Sequence, residues 1–412
     1  MEGDLIKIND WLLPFSWLYG IGVGVRNKLF DVGVLRQQAY AIPVISVGNI
    51  TVGGTGKTPH VEYLANLLRD VAKVAILSRG YKRKTKGYLL ADDGSTPKDI
   101  GDEPYQIHKK FPDVYVAVDK NRREGIERLT HDEATKDVDV ILLDDAFQHR
   151  YVKAGINILL VDYHRLIIYD KLLPAGRLRE PKEGKSRADI VIITKCPKDL
   201  NPMQIRVLTK VMDLYPYQQL YFTYIDYGEP YHASLEPDYE RTDTTVSDND
   251  DCNHKVQSSK FKLQSLKSQN VLLLTGIGSP KQMQNDLKGK CRSLTPLAFA
   301  DHHNFSEHDV EKINMVFDEM PSPKIIITTE KDATRLKDLN GLSDEVRSNL
   351  YVLPISVKFM LGEGEVFNRK ITSYVFKNSR NSILVKGKDD NSPKDSNHSR
   401  HRPRTISFRD NI

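Results

Sequence analysis

The chain is poor in cysteine and in long apolar runs. Its 412 residues include three cysteines, which are Cys196, Cys252 and Cys291. These are too few and too scattered for a disulfide framework or a thiolate metal site, which fits a reducing compartment. No stretch reaches the roughly 20 apolar residues that a membrane-spanning helix needs. The nearest approach, residues 11–25, is interrupted by Pro14 and by glycines, so we expect no transmembrane helix.

The features of a secretory signal peptide are also missing. Ala39-Tyr40-Ala41 resembles a signal cleavage site. Four charged residues, however, separate it from the apolar run, and these are Arg26, Lys28, Asp31 and Arg36. The residues before the run are as acidic as they are basic, unlike the positively charged start of a signal peptide. We therefore expect that the chain is not secreted.

The body of the chain has no excess of either charge. The formal net charge is +5, and residues 377–412 hold nine Lys/Arg against four Asp. Residues 1–376 are therefore formally neutral, which excludes bulk electrostatic binding of polyanions, and we expect no nucleic acid partner. The tail is rich in Ser, Asn, Lys and Arg and cannot form a core. We favour a solvated tail over one that binds acidic lipid or nucleic acid.

The sequence does contain a regular alternation of apolar runs and helix-like segments. Most runs are continuous Val, Ile and Leu, which is typical of strands buried on both faces. The predicted strands are residues 42–47, 74–77, 138–143, 156–161, 190–194, 220–225, 271–275, 325–328 and 351–355. Segments 59–70 and 121–129 suit crossover helices. This pattern predicts an α/β fold with a mainly parallel sheet.

The strongest functional signal follows the first predicted strand. Residues 48–59 read GNITVGGTGKTP and lead into a predicted helix. A glycine-rich turn in this context lets backbone N–H groups surround phosphate oxygens, helped by the positive end of the helix. Lys57 would reach the β- and γ-phosphates, and Thr58 would bind Mg²⁺. The predicted nucleotide-binding residues are Thr51, Val52, Gly53, Gly54, Thr55, Gly56, Lys57 and Thr58.

A candidate metal ligand ends another predicted strand. Residues 138–145 read VDVILLDD, so an apolar run ends in Asp144 and Asp145. Two adjacent carboxylates repel each other unless a cation such as Mg²⁺ lies beside them. We therefore predict that Asp144 or Asp145 holds the metal or its bound water. Gln148 and His149 follow closely and are expected in the same pocket, although His149 also suits a loop histidine that bonds to a carbonyl.

GTPases are the first alternative, because they share this type of phosphate loop. They read guanine with an N/T-K-x-D motif after a strand. Thr194-Lys195-Cys196-Pro197 has proline in place of the aspartate, and Thr329-Glu330-Lys331-Asp332 has glutamate in place of the lysine. Neither segment suits guanine, so ATP is predicted by elimination.

Together these residues resemble the tetraacyldisaccharide 4′-kinases, which phosphorylate a precursor of lipid A. The resemblance rests on the order and spacing of seven segments between about residues 10 and 360. They are VGNITVGGTGKTP (47–59), LSRGYKRK (77–84), GDEPY (101–105), LLDDAFQHR (142–150), LLPAGRLREP (172–181), FADHHNFS (299–306) and TTEKDATR (328–335). Thr51 replaces the first glycine of the general G-x-x-x-x-G-K-[ST] pattern, and the family shares this departure. Residues 237–269 and the tail lie outside the resemblance.

The resemblance implies transfer of the γ-phosphate of ATP to the 4′-hydroxyl of a tetraacylated glucosamine disaccharide 1-phosphate. It implies a P-loop NTPase-like sheet flanked by helices, with a smaller α/β C-terminal domain. ATP and Mg²⁺ are the implied cofactors, and the lipid A precursor and a membrane surface are the implied partners, with no protein partner. The implied location is peripheral, on the cytoplasmic face of a Gram-negative inner membrane. The predicted segments are an N-terminal amphipathic segment (1–40), a kinase core (41–230), a polar connection (231–270), a C-terminal domain (271–376) and a basic tail (377–412).

The resemblance also implies catalytic residues. Asp102 of GDEP would accept the proton of the 4′-hydroxyl, with His302 of FADHH as its partner. Arg179 of PAGRLREP resembles an active-site arginine that neutralises charge on the transferring phosphoryl group. Lys57 completes this predicted catalytic set. The residues expected to line the substrate site, for which a solvated surface position is the alternative, are Arg79, Tyr81, Arg122, Gln148 and His149.

Both tryptophans of the chain lie in one N-terminal segment. Residues 10–30 read DWLLPFSWLYGIGVGVRNKLF and contain Trp11 and Trp17. Trp and Tyr favour the headgroup boundary of a bilayer, and the cations Arg26 and Lys28 suit anionic lipid. We predict that this segment docks on a membrane without spanning it. The alternative is an N-terminal helix packed on the core.

Two further functions stay open at this point. One is a P-loop kinase with a soluble sugar acceptor, and the other is an ATP-driven switch or metallochaperone. Asp102, His302 and the amphipathic N-terminus favour the lipid kinase, because a switch has no need of a base for a sugar hydroxyl.

Overall fold

The computed structural model describes residues 8–234, 263–278, 280–301, 303, 305–336 and 339–379. His302, the tail from residue 380 and most of the predicted polar connection lie outside the described residues. The strands are β1 Val44–Gly48, β2 Val74–Ser78, β3 Leu89–Leu90, β4 Tyr115–Val118, β5 Val140–Asp144, β6 Ile156–Asp162, β7 Ile190–Thr194, β8 Gln219–Tyr227, β9 Tyr231–His232, β10 Asn270–Thr275, β11 Ser293–Ala298, β12 Lys324–Thr329, β13 Leu350–Leu353 and β14 Ile355–Phe359. The α-helices are α1 Leu13–Asp31, α2 Lys57–Leu68, α3 Pro97–Ile100, α4 Asp102–Lys110, α5 Arg122–His131, α6 Pro202–Met212, α7 Pro280–Leu287, α8 Glu307–Asp318, α9 Glu330–Leu336, α10 Asp344–Ser348 and α11 Gly364–Asn378.

The larger sheet has nine strands in the order β14-β8-β7-β6-β1-β5-β2-β4-β3. Its pairings are parallel except for β3 on β4 and β14 on β8. Every residue of β1, β2, β5 and β7 is buried, because helices and loops cover both faces of the sheet. The prediction of an α/β fold with a mainly parallel sheet and flanking helices is confirmed.

The smaller sheet has five strands in the order β11-β10-β12-β13-β9. Its pairings are parallel except for β9 on β13. No apolar run in the sequence marks β11, because this strand contains Pro296 and mostly partly or fully exposed side chains. Such a composition is tolerated at the edge of a sheet, where β11 lies.

The chain returns to the larger sheet after β13. The predicted single strand at 351–355 is divided at Pro354, which separates β13 in the smaller sheet from β14 in the larger one. Proline lacks the N–H that would continue the strand ladder. Three residues of α11 then join the core around α2, namely Phe367, Ile371 and Val375. The segment boundaries given above remain a prediction.

The α1 helix lies on the larger domain with one face and exposes an apolar face. The Ser16 hydroxyl donates to the carbonyl of Leu172 at 3.0 Å, and the Tyr19 hydroxyl donates to the carbonyl of Arg179 at 2.7 Å. Arg26 also faces the protein, since its Nη2 donates to the carbonyl of Gln148 at 3.0 Å. The large exposed side chains of α1 are Phe15, Trp17, Leu18, Ile21 and Val25, and Trp11, in the turn before the helix, is exposed as well. Of the helices described, none is both long and apolar enough to cross a membrane.

Candidate active site

Parallel strands bring the predicted phosphate loop, residues 48–59, and the acidic end of β5 together. The register of β1 and β5 pairs Val47 with Asp144. The loop that follows β1 therefore starts beside the carboxylates that end β5. The loop turns through Gly53 and Gly56, whose φ angles of 117° and 83° are open to glycine and strained for other residues. The helix α2 then begins at Lys57.

Three side chains, those of Asn49, Thr194 and Lys195, bond to the loop and fix its shape. Asn49 Nδ2 donates to Thr55 Oγ1 at 2.8 Å, and Thr194 Oγ1 donates to the Thr55 carbonyl at 2.9 Å. Lys195, whose backbone is left-handed at φ 59°, donates from Nζ to the Gly54 carbonyl. Its Nζ also bonds to Asp162 at 2.8 Å. These contacts leave the loop with little freedom to rearrange.

His60 supports the last residue of the loop and stays neutral. Its Nδ1 lies 2.7 Å from the Gly56 carbonyl, and its Nε2 lies 3.1 Å from Thr223 Oγ1. A carbonyl can only accept, so Nδ1 carries the proton and Nε2 accepts from the threonine. Burial lowers the pKa of His60 from 6.5 to about 4.

This pKa gives a prediction for stability. Well above pH 6.5 the histidine is neutral in both states, and as the pH falls towards 4 the unfolded chain takes up a proton that the folded protein does not. Between pH 7 and pH 5 the wild type should therefore lose about 2 kcal/mol more free energy of unfolding than H60Q does. Urea unfolding followed by circular dichroism at the two pH values measures this difference. H308Q, which removes an exposed histidine, should behave as wild type, and equal losses in H60Q and wild type would contradict the assignment.

A short antiparallel contact brings Arg179 to Asp144 and Asp145, which form the acidic turn at the end of β5. The Val52 N–H donates to the Arg177 carbonyl and the Arg179 N–H donates to the Ile50 carbonyl, both at 2.8 Å. The Arg179 guanidinium lies 3.2 Å from Asp145 Oδ2 and 3.3 Å from Gln148 Oε1. Arg179 therefore reaches Asp145 from a segment that is paired with the phosphate loop.

The two adjacent carboxylates have different environments. Burial alone would raise the pKa of Asp145, but Lys57 and Arg179 hold it below its ordinary value. Lys57 Nζ lies 3.7 Å from Asp145 Oδ1. Burial, with further contributions from Glu103 and Asp145, raises the pKa of Asp144 to about 7. One Asp144 oxygen accepts from Ser78 Oγ at 3.1 Å, and the other is buried with no hydrogen-bond partner among the described residues. An unsatisfied carboxylate with a raised pKa is an environment that a cation would relieve.

The other residues predicted to line the substrate site lie around this turn. Arg122 is buried, and its guanidinium donates to the backbone carbonyls of Asp119 and Asp144. Gln148 Nε2 donates to the Asn49 carbonyl and to Glu180 Oε1. Burial, helped by the charge of Arg122, lowers the pKa of His149 to about 4, so its ring is neutral.

Two predicted substrate residues are more open. Tyr81 is exposed, with Lys82 Nζ 6.0 Å from the centre of its ring. Arg79 lies near enough to Arg122 for its charge to contribute to lowering the pKa of that residue, behind the larger effect of burial. Both residues belong to the segment after β2. In the larger sheet, β2 lies next to β5 on the side opposite to β1, the strand that leads into the phosphate loop.

Asp102 begins the helix α4. Its carboxylate accepts from Arg335 Nη2 in the helix α9. The predicted partner, His302, is not among the described residues. Its neighbour His303 bonds instead to Asp309, with 2.9 Å between Nε2 and Oδ2.

A cavity of about 200 Å³ lies between the two sheets, against the phosphate loop. Its polar side is formed by the loop and the start of α2, with Glu103, Lys195 and Lys331 nearby. Its apolar side is lined by Ile225, Tyr227, Ile277, Met283, Leu353 and Ile355. The cavity thus joins a polar end, formed by the glycine-rich loop and the start of α2, to an apolar end.

Sequence reasoning missed several residues of this site. Lys195 lay in a segment weighed only as a guanine reader, although its place at a strand end was a usable signal. Ser78, which bonds to Asp144, follows the predicted strand 74–77 and belongs to LSRGYKRK, which was used for the resemblance without a role for this residue. Arg335 and Lys331 belong to TTEKDATR, which was used for the resemblance without a role for either residue.

Comparison with known proteins decides the family. A family model described as tetraacyldisaccharide-1-P 4′-kinase matches residues 8–375. The chain belongs to this family. The predicted resemblance is confirmed, and with it the prediction of an ATP-dependent kinase of lipid A biosynthesis.

Individual relatives agree with this assignment. A tetraacyldisaccharide 4′-kinase of Phocaeicola vulgatus is 53% identical over 384 residues, which cover 93% of this chain and 99% of the relative. The same-named kinase of Bacteroides thetaiotaomicron is 50% identical over 383 residues, covering 93% and 97%. A solved structure of LpxK from Aquifex aeolicus in complex with ATP matches this kinase with a TM-score of 0.64 and 29% identity, covering 89% of this chain and 99% of that one.

Proposed function

We propose that the protein transfers the γ-phosphate of ATP to the 4′-hydroxyl of a tetraacyldisaccharide 1-phosphate, with Mg²⁺ as cofactor. The observation that carries this proposal is the convergence of Lys57 and Arg179 on Asp145 beside the phosphate loop. Lys57 Nζ lies 3.7 Å and Arg179 Nη1 3.2 Å from this carboxylate. Phosphoryl transfer depends on positioning and on charges that neutralise the transferring group, and this cluster supplies both.

The phosphate loop and the cavity would hold the nucleotide. Residues 51–58 offer backbone N–H groups and the start of α2 to the phosphates. Lys57 would neutralise the β- and γ-phosphates, and Arg179 the transferring group. The flat adenine ring fits the chemistry of the apolar end of the cavity, where Tyr227, Ile277 and Leu353 lie. ATP is also the nucleotide in the solved structure of the Aquifex aeolicus protein.

The residues at the acidic turn fit Mg²⁺. In the part of the chain that the structure describes, no three His, Cys, Asp or Glu side chains are arranged to hold a metal alone. This suits Mg²⁺, which keeps several waters and uses one or two carboxylates together with phosphate oxygens. Thr58 and Asp144 or Asp145 would hold it, and the buried Asp144 oxygen without a partner supports this choice. When bound, the ion would neutralise charge on the phosphates.

Asp102 is proposed as the base for the acceptor hydroxyl, with His302 as its proposed partner. A sugar hydroxyl is a weak nucleophile, and a carboxylate at the start of a helix is held in place where it can accept the proton of that hydroxyl. Arg79, Tyr81, Gln148 and His149 are proposed to line the acceptor site. Arg122 would act indirectly by fixing the backbone of Asp144, because its Nη2 donates to the Asp144 carbonyl at 3.0 Å.

The exposed face of α1 is proposed to dock on the membrane that carries the acyl chains of the acceptor. Trp11 and Trp17 are 76% and 70% exposed, which is costly in water unless a partner covers them. We place the reaction on the cytoplasmic face of the Gram-negative inner membrane, where ATP is available.

This docking can be measured through the tryptophans, since both lie at this surface. Anionic vesicles should shift their emission to the blue. Replacing Phe15, Leu18 and Ile21 by Ser should weaken vesicle binding at least roughly 100-fold, because each large side chain contributes about 1.5–3 kcal/mol when buried. The matched control replaces Met203, Val366 and Phe376, which are exposed on other helices, and should bind as wild type. Equal binding by all three proteins would contradict docking through α1.

The proposed reaction is tested directly with γ-labelled ATP and the tetraacyldisaccharide 1-phosphate. Labelled lipid should form with the lipid acceptor and not with a soluble deacylated disaccharide phosphate at the same concentration. Label on the soluble sugar alone would favour the kinase of a soluble acceptor. Release of labelled phosphate without any labelled sugar would favour an ATP-driven switch.

A further inference from the structure

The helix α9, which lies between β12 and β13 of the smaller sheet, contacts α4 of the larger domain through three ion pairs. The smaller and larger domains are the two sheets with the helices that pack on them. Glu330 lies 3.1 Å from Lys110, and Lys331 lies 3.2 Å from Glu103. Arg335, one turn further along α9, donates to Asp102. The third pair involves the proposed base itself.

Arg335 is held from its other side by a fixed carboxylate. Its Nη1 lies 3.5 Å from Asp332 Oδ1, and the arginine side chain is 9% exposed. Asp332 is fully buried, and its second oxygen accepts from the Gly276 N–H at 2.9 Å and from Thr329 Oγ1 at 2.8 Å. A guanidinium held in this way presents its donors in one direction, because its fork is planar and rigid.

We propose that Arg335 is a positioning residue for phosphoryl transfer, which holds the Asp102 carboxylate in one orientation. The proposal rests on the proposed role of Asp102 as the base. A base works only when it is correctly aimed at the proton it accepts, and the rigid fork of an arginine restricts the directions in which a bonded carboxylate can point. Ordering Asp102 on α4 therefore depends on a residue of the smaller domain.

The test compares the kinetics of R335Q, R335K, D102N and the double variant R335Q/D102N. R335Q should lower kcat about 100-fold, as expected for a misplaced catalytic group. Its KM for ATP should stay within about threefold of wild type, because Arg335 does not line the nucleotide cavity. R335K should recover about tenfold of the loss, since lysine restores the charge but not the fork. In the D102N background, R335Q should cost less than about twofold more, because the two residues act as a unit.

A matched control is R347Q, in the same domain. The Arg347 guanidinium bonds to the backbone carbonyls of Leu339 and Leu342, so its loss should leave kcat at the wild-type value. ATP binding measured by calorimetry shows that each variant is folded, and R335K covers the case in which R335Q is not.

Two results would overturn the proposal on Arg335 alone. They are a kcat within about threefold of wild type in R335Q while D102N is slow, and a full 100-fold further loss from R335Q in the D102N background. A wild-type kcat in D102N would instead show that the proposed base is wrong, and the role of Arg335 would fail with it. The two failures are therefore distinguishable.

Discussion

Replacing Asp102 by Asn should lower kcat by about 10²–10⁴, the usual range for loss of a general base. The amide has nearly the same shape as the carboxylate but cannot accept the proton of the acceptor hydroxyl. Binding of ATP should be unchanged, because Asp102 is not among the residues that line the cavity at the phosphate loop. Initial rates with a detergent-dispersed acceptor at saturating Mg·ATP measure the loss, and calorimetry measures the affinity for the nucleotide.

The control for this variant is D113N. Asp113 follows the other end of the same helix and lies 3.6 Å from Arg69. Asp113 is exposed while the Arg69 side chain is mostly buried. Because Asp113 lies beyond the end of α4 opposite to Asp102, D113N should keep the wild-type rate. A D102N rate close to that of D113N, with normal ATP binding in both, would show that Asp102 is not the base.

Replacing Lys57 by Met should lower kcat/KM for ATP by about 10²–10³, the range for losing one preorganised donor to a developing charge. The variant removes the cation that the structure places 3.7 Å from Asp145 and at the start of α2. T58A should instead raise the Mg²⁺ concentration needed for half-maximal rate, because Thr58 is proposed to bind the metal. Rates measured over a matrix of ATP and Mg²⁺ concentrations separate the two effects.

K210M is the matched control, since Lys210 is exposed on α6. It should keep wild-type kinetics, which shows that losing one positive charge from the chain is harmless. If K57M turned over at the rate of K210M at subsaturating ATP, the role assigned to Lys57 would be wrong. An unchanged Mg²⁺ requirement in T58A would exclude that residue as a metal ligand.

Features written in consecutive residues were predictable. The buried strands of the larger sheet appear as continuous Val, Ile and Leu because both faces are covered, so β5 and β7 were found within two residues of their ends. The phosphate loop was also predictable, because a strand, glycines and a helix start follow one another directly. The position of Asp144 and Asp145 was predictable for the same reason, since they end a recognisable strand, and their role as metal ligands stays a prediction.

Weak or divided strands were not predictable in the same way. β11 contains a proline and mostly partly or fully exposed side chains, so no apolar run marks it. The break at Pro354 sends two halves of one apparent strand into different sheets. Local composition does not record which sheet a strand joins, because that depends on packing partners elsewhere in the chain.

The sequence by itself determined the fold class, the family and the position of the phosphate loop, because each is carried by local pattern or by segments in a fixed order. Only the tertiary structure decided which side chains meet. Arg335 reaches Asp102 across 233 positions of sequence, and Lys195 reaches Gly54 across 141. Such contacts exist because two sheets and their connecting helices pack at one particular distance and orientation, and no periodicity or motif in the chain encodes that placement.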